Sequence, residues 1–142
     1  MPAQMDTTQL FAIAAALGWA SGLRLYAVVF LTGLAFEAIG DAQLTAFRRD
    51  PSTSGQVMDR GLWSWSRHPN YFGEFSFWLS LALFGVAAAP ADSWWLVLGA
   101  VAILAMFLGA SIPMMEKRQS RKPAYADYQK RVSMLVPLPA KR

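Results

Sequence analysis

The feature that most constrains this chain is a long stretch with almost no charge. Residues 75–115 contain one charged residue, Asp92. The whole chain is 15% charged, whereas soluble proteins contain about 25% charged residues. A helix needs about 20 mostly apolar residues to cross the hydrocarbon core of a membrane. The sequence therefore predicts an integral membrane protein rather than a soluble domain.

Three apolar runs approach the length of a membrane span. They extend from Leu10 to about Ile39, from Pro69 to Ala89, and from Trp94 to about Ile112. The first is longer than one span requires, which leaves two alternatives: a tilted helix, or a short interfacial helix followed by a span. We expect an all-α integral membrane protein with about three transmembrane helices, a cytoplasmic loop and a basic C-terminal tail.

Prolines and capping residues predict the ends of the second and third helices. Pro90 should stop the second helix, and Pro113 should kink or end the third. Asp92 or Ser93 can cap the start of the third helix. The short link between the two predicts an antiparallel hairpin.

The basic residues predict the orientation. Twelve of the 13 Lys and Arg residues lie in the loop 40–68 or in the tail 116–142. The positive-inside rule therefore places both segments in the cytoplasm and the N-terminus outside. No basic residue precedes the first apolar run, so a signal peptide is not expected. The basic tail lacks a groove-reading motif, so we expect no nucleic-acid partner.

The composition also excludes several kinds of site. The chain has no cysteine and one histidine, His68. Disulfides, thiolate chemistry and zinc sites with paired histidines are therefore excluded, and we expect no metal.

The segment 61–78 (GLWSWSRHPNYFGEFSFW) carries the most chemistry. Arg67 and His68 precede the start of the second helix, and Tyr71, Glu74 and Trp78 share one face of it. A carboxylate inside a span should be paired, so we expect Glu74 to meet Arg67, Arg48 or the basic tail. The cluster is either an anion or nucleotide site, with Arg67 binding phosphate, or a set of interfacial anchors. The residues alone do not decide between these.

Three further segments have predictable structures. Glu37, Asp41 and Arg48 should line one helix face, which by itself indicates a solvated helix end with an Asp–Arg contact. Residues 50–61 should form a loop. Residues 123–132 should form a short amphipathic helix beginning at Pro123, with Tyr125, Tyr128 and Val132 on its apolar face, followed by an extended segment 135–139.

Four segments resemble the steroid 5-alpha-reductase-like membrane proteins, in particular the C-terminal half of a bacterial branch of unknown substrate. They are 36–49 (FEAIGDAQLTAFRR), 61–74 (GLWSWSRHPNYFGE), 109–117 (GASIPMMEK) and 125–139 (YADYQKRVSMLVPLP). The RHPxY element also occurs in sterol reductases and isoprenylcysteine methyltransferases, which bind NADPH and S-adenosylmethionine respectively. Gly73–Glu74 and the DxQ of 41–43 favour the reductases.

The resemblance implies cofactor-binding roles for nine residues. They are Asp41, Arg48, Arg67, His68, Asn70, Tyr71, Glu74, Tyr125 and Tyr128. Of these, Glu74 would lie where the cofactor and substrate pockets meet, and the two C-terminal tyrosines would close the cofactor pocket. No catalytic residue is assigned, because relatives have further helices upstream that supply the substrate cavity and its proton donor.

The resemblance also implies a function and a location. The expected function is an NADPH-dependent membrane reductase of a lipid or steroid-like enone, or the cofactor-binding half of one. The alternatives are an S-adenosylmethionine-dependent methyltransferase of the isoprenylcysteine or phospholipid type, or an inactive membrane fragment. The expected location is a bacterial inner membrane, and the expected partners are membrane lipid and a small hydrophobic substrate.

The N-terminal region has a separate resemblance. Residues 18–35 are similar to a different small bacterial membrane domain of unknown function, which predicts a division into 1–36 and a cofactor-binding region 37–142. A homo-oligomer or a partner protein would then supply the missing helices.

Overall fold

The described part of the chain is helical. The structure, a computed structural model, describes the backbone of residues 7–141 and the side chains from residue 24 onward. It contains α1 (Thr7–Arg49), α2 (Pro69–Ala88), α3 (Pro90–Ser93), α4 (Leu96–Met106), α5 (Ile112–Gln119) and α6 (Tyr125–Arg131). Within these residues the β-structure is limited to one isolated parallel bridge, Ser66 to Ser133. The all-α prediction is confirmed.

Three segments are long and apolar enough to span a membrane, as predicted. They are Arg24–Arg49, Pro69–Ala88 and Pro90–Gln119. The helix α1 runs without a break for 43 residues, which corresponds to about 65 Å at the usual helical rise. The alternative of an interfacial helix followed by a separate span is therefore wrong. Since the hydrocarbon core is about 30 Å thick, α1 extends well beyond it unless strongly tilted.

The third span differs from the prediction at both ends. It begins at Pro90, so Asp92 and Ser93 already lie inside it and neither side chain caps it. Proline suits a first helical position because no backbone N–H is required there. Pro113 does not end the span. It follows a π-helical turn, Phe107–Ser111, whose altered carbonyl spacing lets the helix continue past a residue without an N–H.

Helices α1 and α2 pack through glycines. A Cβ atom on Gly33 would lie 2.7 Å from the amide nitrogen of Phe77 and 2.8 Å from the carbonyl oxygen of Gly73. A Cβ atom on Gly73 would in turn overlap the backbone of Glu37. The two backbones therefore touch, which is the way small residues allow membrane helices to associate.

The loop after α1 and the C-terminal tail lie at the same end of the helices, which we call the polar end (residues 50–68 and 120–141). The Trp63 indole N–H donates to the Gly40 carbonyl at 3.0 Å and holds the loop on α1. The Ser66 hydroxyl donates to the Leu135 carbonyl at 2.7 Å, which holds the tail on the loop. Both basic segments therefore share one end, as the charge distribution predicts.

The short helix of the tail closely matches its prediction. Tyr125, Tyr128 and Val132 are buried together against Val57, which confirms their common apolar face. Pro123 is not its first residue, because the helix begins at Tyr125. The segment 135–139 is not helical, as expected, but its backbone bends at residues 135 and 136, so it is not extended throughout.

Candidate functional site

Arg67 connects three elements at the polar end. Its Nε–H donates to Glu116 Oε1 of α5 at 2.7 Å, and its Nη1 group donates to the carbonyls of Gln129 and Val132 at 2.8 and 3.0 Å. The amide of Gln129 donates to the second oxygen of Glu116 at 3.0 Å. An arginine has five N–H donors, so three are engaged within the chain and the two on Nη2 have no recorded partner among the described residues.

His68 is buried beside this ion pair. Its backbone N–H donates to the Ser66 hydroxyl at 3.1 Å, and its Nε2 lies 3.3 Å from Glu116 Oε1. Burial lowers the pKa of His68 below 6.5, although the nearby Glu116 carboxylate opposes the shift, so the ring is neutral at pH 7. Because a carboxylate only accepts, Nε2 carries the proton and Nδ1 is an acceptor. Nδ1 is buried and has no hydrogen-bond partner within the described residues.

An aromatic stack continues from His68 into the membrane span. The ring of His68 lies 5.6 Å from that of Tyr71, and Tyr71 lies 4.2 Å from Phe107 with the planes 4° apart. The Tyr71 hydroxyl donates to the sulfur of Met115 at 3.1 Å. Phe107 opens the π-helical turn, so this irregular turn of the third span supplies one ring of the stack.

A cavity of about 60 Å³ lies next to this network. Its walls come from α1, the loop that precedes α2, α5, α6 and the segment between α5 and α6. They include three basic residues and no acidic residue. The lining residues are Leu44, Phe47, Arg48, Val57, Met58, Trp63, Arg67, His68, Met115, Gln119, Lys122, Tyr125 and Tyr128. Because Glu116 pairs with Arg67, the excess positive charge of this partly open space comes from Arg48 and Lys122, and it suits an anion.

A second, more open cleft shares two walls with that cavity. It has a volume of about 360 Å³, and Phe47 and Met58 line both spaces. Its polar lining includes Asp50, Thr53 and Arg60. The side chain of Ser52 and then its amide, which donates to the Asp50 carboxylate at 2.9 Å, lower the pKa of Asp50 by hydrogen bonding. The cleft is thus formed by a loop whose first turn is capped.

Two buried tyrosines form the wall on the tail side. The Tyr128 hydroxyl donates to the Trp63 carbonyl at 2.6 Å, and burial raises its pKa. Burial, together with the nearby Glu116 carboxylate, raises the pKa of Tyr125 to about 12. Both hydroxyls therefore stay protonated at physiological pH and act as neutral polar groups.

The nine residues assigned from the resemblance divide into two groups. Arg48, Arg67, His68, Tyr125 and Tyr128 line the cavity of about 60 Å³, whereas Asp41, Asn70, Tyr71 and Glu74 do not. Asp41 accepts from the side-chain amide of Asn70 at 2.9 Å, which links α1 to α2 at an exposed position. The expected Asp41–Arg48 ion pair is not recorded among the described residues.

The prediction that Glu74 pairs with Arg67 is wrong. Arg67 bonds Glu116 instead, and no ion pair of Glu74 is recorded in the described part of the chain. The reason is position: Arg67 precedes α2 and points its guanidinium toward α5 and α6, away from the span that carries Glu74.

Glu116 is the central residue that sequence reasoning missed. It accepts from Arg67, His68 and Gln129 at once, and it comes from the third span. The available signal was its place as the first charge after the apolar run 93–115, directly within the segment GASIPMMEK. Gln129 had no comparable signal, because a glutamine on a short amphipathic helix is usually solvated.

Comparison with known proteins identifies relatives but no established activity. A family model described as a protein of unknown function (DUF1295) matches residues 6–132, across the proposed division at residue 36. An uncharacterized protein of Schizosaccharomyces pombe is 37% identical over 78 residues, which cover 54% of this chain and 22% of that protein. The match thus spans about a fifth of the yeast relative. No solved structure matches.

The family match covers far more than half of the sequence, and it includes the loop, all three spans and α6. This family is related in general to the steroid 5-alpha-reductase-like proteins. The chain therefore belongs to the DUF1295 family of proteins of unknown function.

Proposed function

We propose that the chain is the cofactor-binding part of a membrane reductase that uses NADPH to reduce a conjugated C=C bond of a lipid or steroid-like enone. The observation that carries this proposal is the cavity at the polar end. Arg48, Arg67 and Lys122 line it, and no acidic residue does. The resemblance of Gly73–Glu74 and of the DxQ of 41–43 to the reductases supports the choice of cofactor.

The lining fits the anionic part of the cofactor. Arg48 comes from α1 and Lys122 from the segment between α5 and α6, so two separate elements supply charge for a phosphate. Ligand pockets usually measure about 300–1,000 Å³. At about 60 Å³ the cavity matches one phosphate-sized group and not the full length of a dinucleotide. The adjoining cleft of about 360 Å³ is the nearest further space.

Bound NADPH would supply a hydride to the conjugated C=C bond. The chain's own groups then have separable tasks. Arg48 and Lys122 bind phosphate, and the two free Nη2 donors of Arg67 add to this charge-assisted binding. Nδ1 of His68, which has no partner among the described residues, serves as a hydrogen-bond acceptor for the ligand. Tyr125 and Tyr128 close the cavity on the tail side.

The remaining assigned residues lie toward the membrane. The Tyr71–Phe107 stack offers an aromatic surface beside His68, and Asp41 and Asn70 hold α1 and α2 in register. Glu74 lies about one helical turn after Tyr71 on α2, further from the polar end. This position suits the proposed boundary between the cofactor pocket and the substrate pocket. We infer that the polar end faces the cytoplasm, where soluble nucleotide cofactors are found, as the positive-inside rule predicts.

The charge of the cavity argues against the methyltransferase alternative. S-adenosylmethionine carries a cationic sulfonium, and the charges of Arg48 and Lys122, which no acidic lining residue opposes, disfavour a cation. The third alternative, an inactive fragment, predicts that neither cofactor binds. In this proposal, a second copy of the chain or a partner protein completes the substrate cavity.

The test is ligand-dependent stability of the full chain in detergent. A ligand that binds only the folded state stabilises it by RT ln(1 + [L]/Kd), about 2.7 kcal/mol at a hundred times Kd. We expect NADPH to raise the melting temperature and S-adenosylmethionine to leave it unchanged. A shift with S-adenosylmethionine alone would support the methyltransferase, and no shift with either would support the fragment.

A further inference from the structure

Four apolar side chains form an uncovered patch at the polar end. Trp65 and Leu138 are each 53% exposed, Val136 is 52% exposed, and Met134 is 38% exposed. Leu138 N–H donates to the Trp65 carbonyl at 3.0 Å, so the tail and loop contributions are adjacent. We call these four residues the interfacial patch. Contiguous exposed apolar side chains indicate a contact surface rather than an ordinary water-facing one.

The exposed side chains of the tail alternate with half-buried ones. Along 134–138, the even-numbered side chains are exposed, whereas Leu135 and Pro137 are half-buried. The Leu135 carbonyl accepts from Ser66, which fixes the register of the segment on the loop. One side of the tail therefore packs on the protein, and the other side is left apolar and open.

The position of the patch matches the surface of the membrane. Helix α2 has 20 residues, which corresponds to about 30 Å, the thickness of the hydrocarbon core. Its first residue, Pro69, therefore lies near one boundary of the core, and Trp65 is four residues further out. Two more exposed tryptophans, Trp94 and Trp95, follow the opposite end of α2. Tryptophan is enriched at both membrane–water interfaces.

Basic residues adjoin the apolar side chains. Arg131 and Lys141 are exposed, and the Lys141 N–H donates to the Arg131 carbonyl at 2.9 Å, which holds them together. Apolar side chains flanked by cations complement a surface of anionic phospholipids. The apolar side chains contact the acyl chains near the headgroups, and the cations contact the phosphates.

We propose that the interfacial patch is embedded in the headgroup region of the bilayer that the helices cross, with Arg131 and Lys141 on anionic lipid phosphates. The tail that carries Tyr125 and Tyr128 is thereby held against the membrane surface. The proposal is independent of the proposed function, because it concerns contact with lipid and no cofactor.

A nitroxide scan tests this directly, since the chain has no cysteine. Single variants Met134→Cys, Val136→Cys and Leu138→Cys are spin-labelled in vesicles of phosphatidylcholine and phosphatidylglycerol. Ser54→Cys, exposed on the loop, is the aqueous control. We expect the three patch positions to show higher collision rates with oxygen and at least threefold lower rates with a water-soluble nickel complex than position 54.

Two other outcomes would overturn the proposal. Nickel accessibility at 136 and 138 equal to that at 54 would show a water-exposed tail. Low collision rates with both oxygen and the nickel complex would show that a protein, such as a second copy of the chain, covers the patch.

The basic residues are tested in the same vesicles. Arg131→Gln with Lys141→Gln should raise nickel accessibility at position 138, whereas Arg131→Lys with Lys141→Arg keeps the charge and should leave it unchanged. Equal nickel accessibility at position 138 in the two double variants would refute the proposed contact of Arg131 and Lys141 with lipid phosphates.

Discussion

Removal of the Arg67 side chain should release the C-terminal tail from the helices. In Arg67→Ala, three hydrogen bonds are lost, one to Glu116 and two to backbone carbonyls at the end of α6. The side chains of Arg67 and Glu116 are only 11% and 15% exposed, so water does not fully replace these bonds. Hydrogen bonds to charged groups contribute about 1.5–3 kcal/mol each.

The net cost is smaller than the sum of the three bonds. Glu116 keeps His68 and Gln129 as donors, and the tail keeps the bonds from Ser66 and Tyr128. We therefore expect a loss of about 3 kcal/mol in the stability of the docked tail, which is roughly a hundredfold in its opening equilibrium.

Hydrogen exchange in detergent micelles measures this opening. Protection of the amides of residues 128–138 should fall by about a hundredfold in Arg67→Ala, while protection within α2 and α4 stays unchanged. Arg67→Lys should fall between wild type and Arg67→Ala, because lysine keeps the charge but loses the planar fork. Arg49→Ala, an exposed arginine outside the network, is the control. Unchanged tail protection in Arg67→Ala would refute the role of Arg67 as a clamp.

Four further outcomes are expected. Gly73→Ala should force α1 and α2 apart and lower the free energy of unfolding by about 1–3 kcal/mol in an SDS titration. Gly99→Ala is the control and should have no such effect, because a Cβ atom there meets nothing within 4 Å. Burial lowers the pKa of His68 in the folded state, so the unfolded state takes up the proton at higher pH. The free energy of unfolding should therefore fall as the pH falls below about 6.5. His68→Gln should remove this part of the pH dependence. Cysteines introduced at 55 and 120 should resist a membrane-impermeant reagent in intact cells; labelling of either from outside would contradict the orientation. Purified chain should not oxidise NADPH with enones, because Arg24, which could act as a proton donor from the continuous helix α1, lies about 20 Å along that helix from Glu37 and so from the polar end. Turnover that disappears in Tyr71→Phe would contradict this.

Hydropathy and proline positions account for what could be predicted of the fold. A run with one charge in 41 residues leaves a chain few alternatives to membrane helices, and Pro90 separates the two spans as expected. The passage of the helix through Pro113 could not be foreseen. It depends on a π-helical turn that no local residue preference indicates. The close approach of Gly33 and Gly73 is likewise a property of two helices together.

Residue type predicted the candidate site only in part. Arg67 and His68 stand out because they precede a proline at the start of a span, and the structure places both on the cavity. Their partner could not be inferred, because four side-chain bonds of Arg67 and His68 reach residues 48 to 65 positions away in sequence. The sequence suggested Glu74 as the carboxylate that needs a cation, whereas the folded chain pairs Glu116.

The central claim is that the cavity of about 60 Å³ binds the phosphate of NADPH. The most direct measurement is a fluorescence titration of NADPH with the purified full chain and two pairs of matched variants. Arg48→Ala and Lys122→Ala remove charges that line the cavity, whereas Arg49→Ala and Lys117→Ala remove exposed charges that do not. We expect saturable binding that weakens at least tenfold in the first pair and is unchanged in the second. Equal affinity in all four variants, or no saturable binding by the wild-type chain, would contradict it.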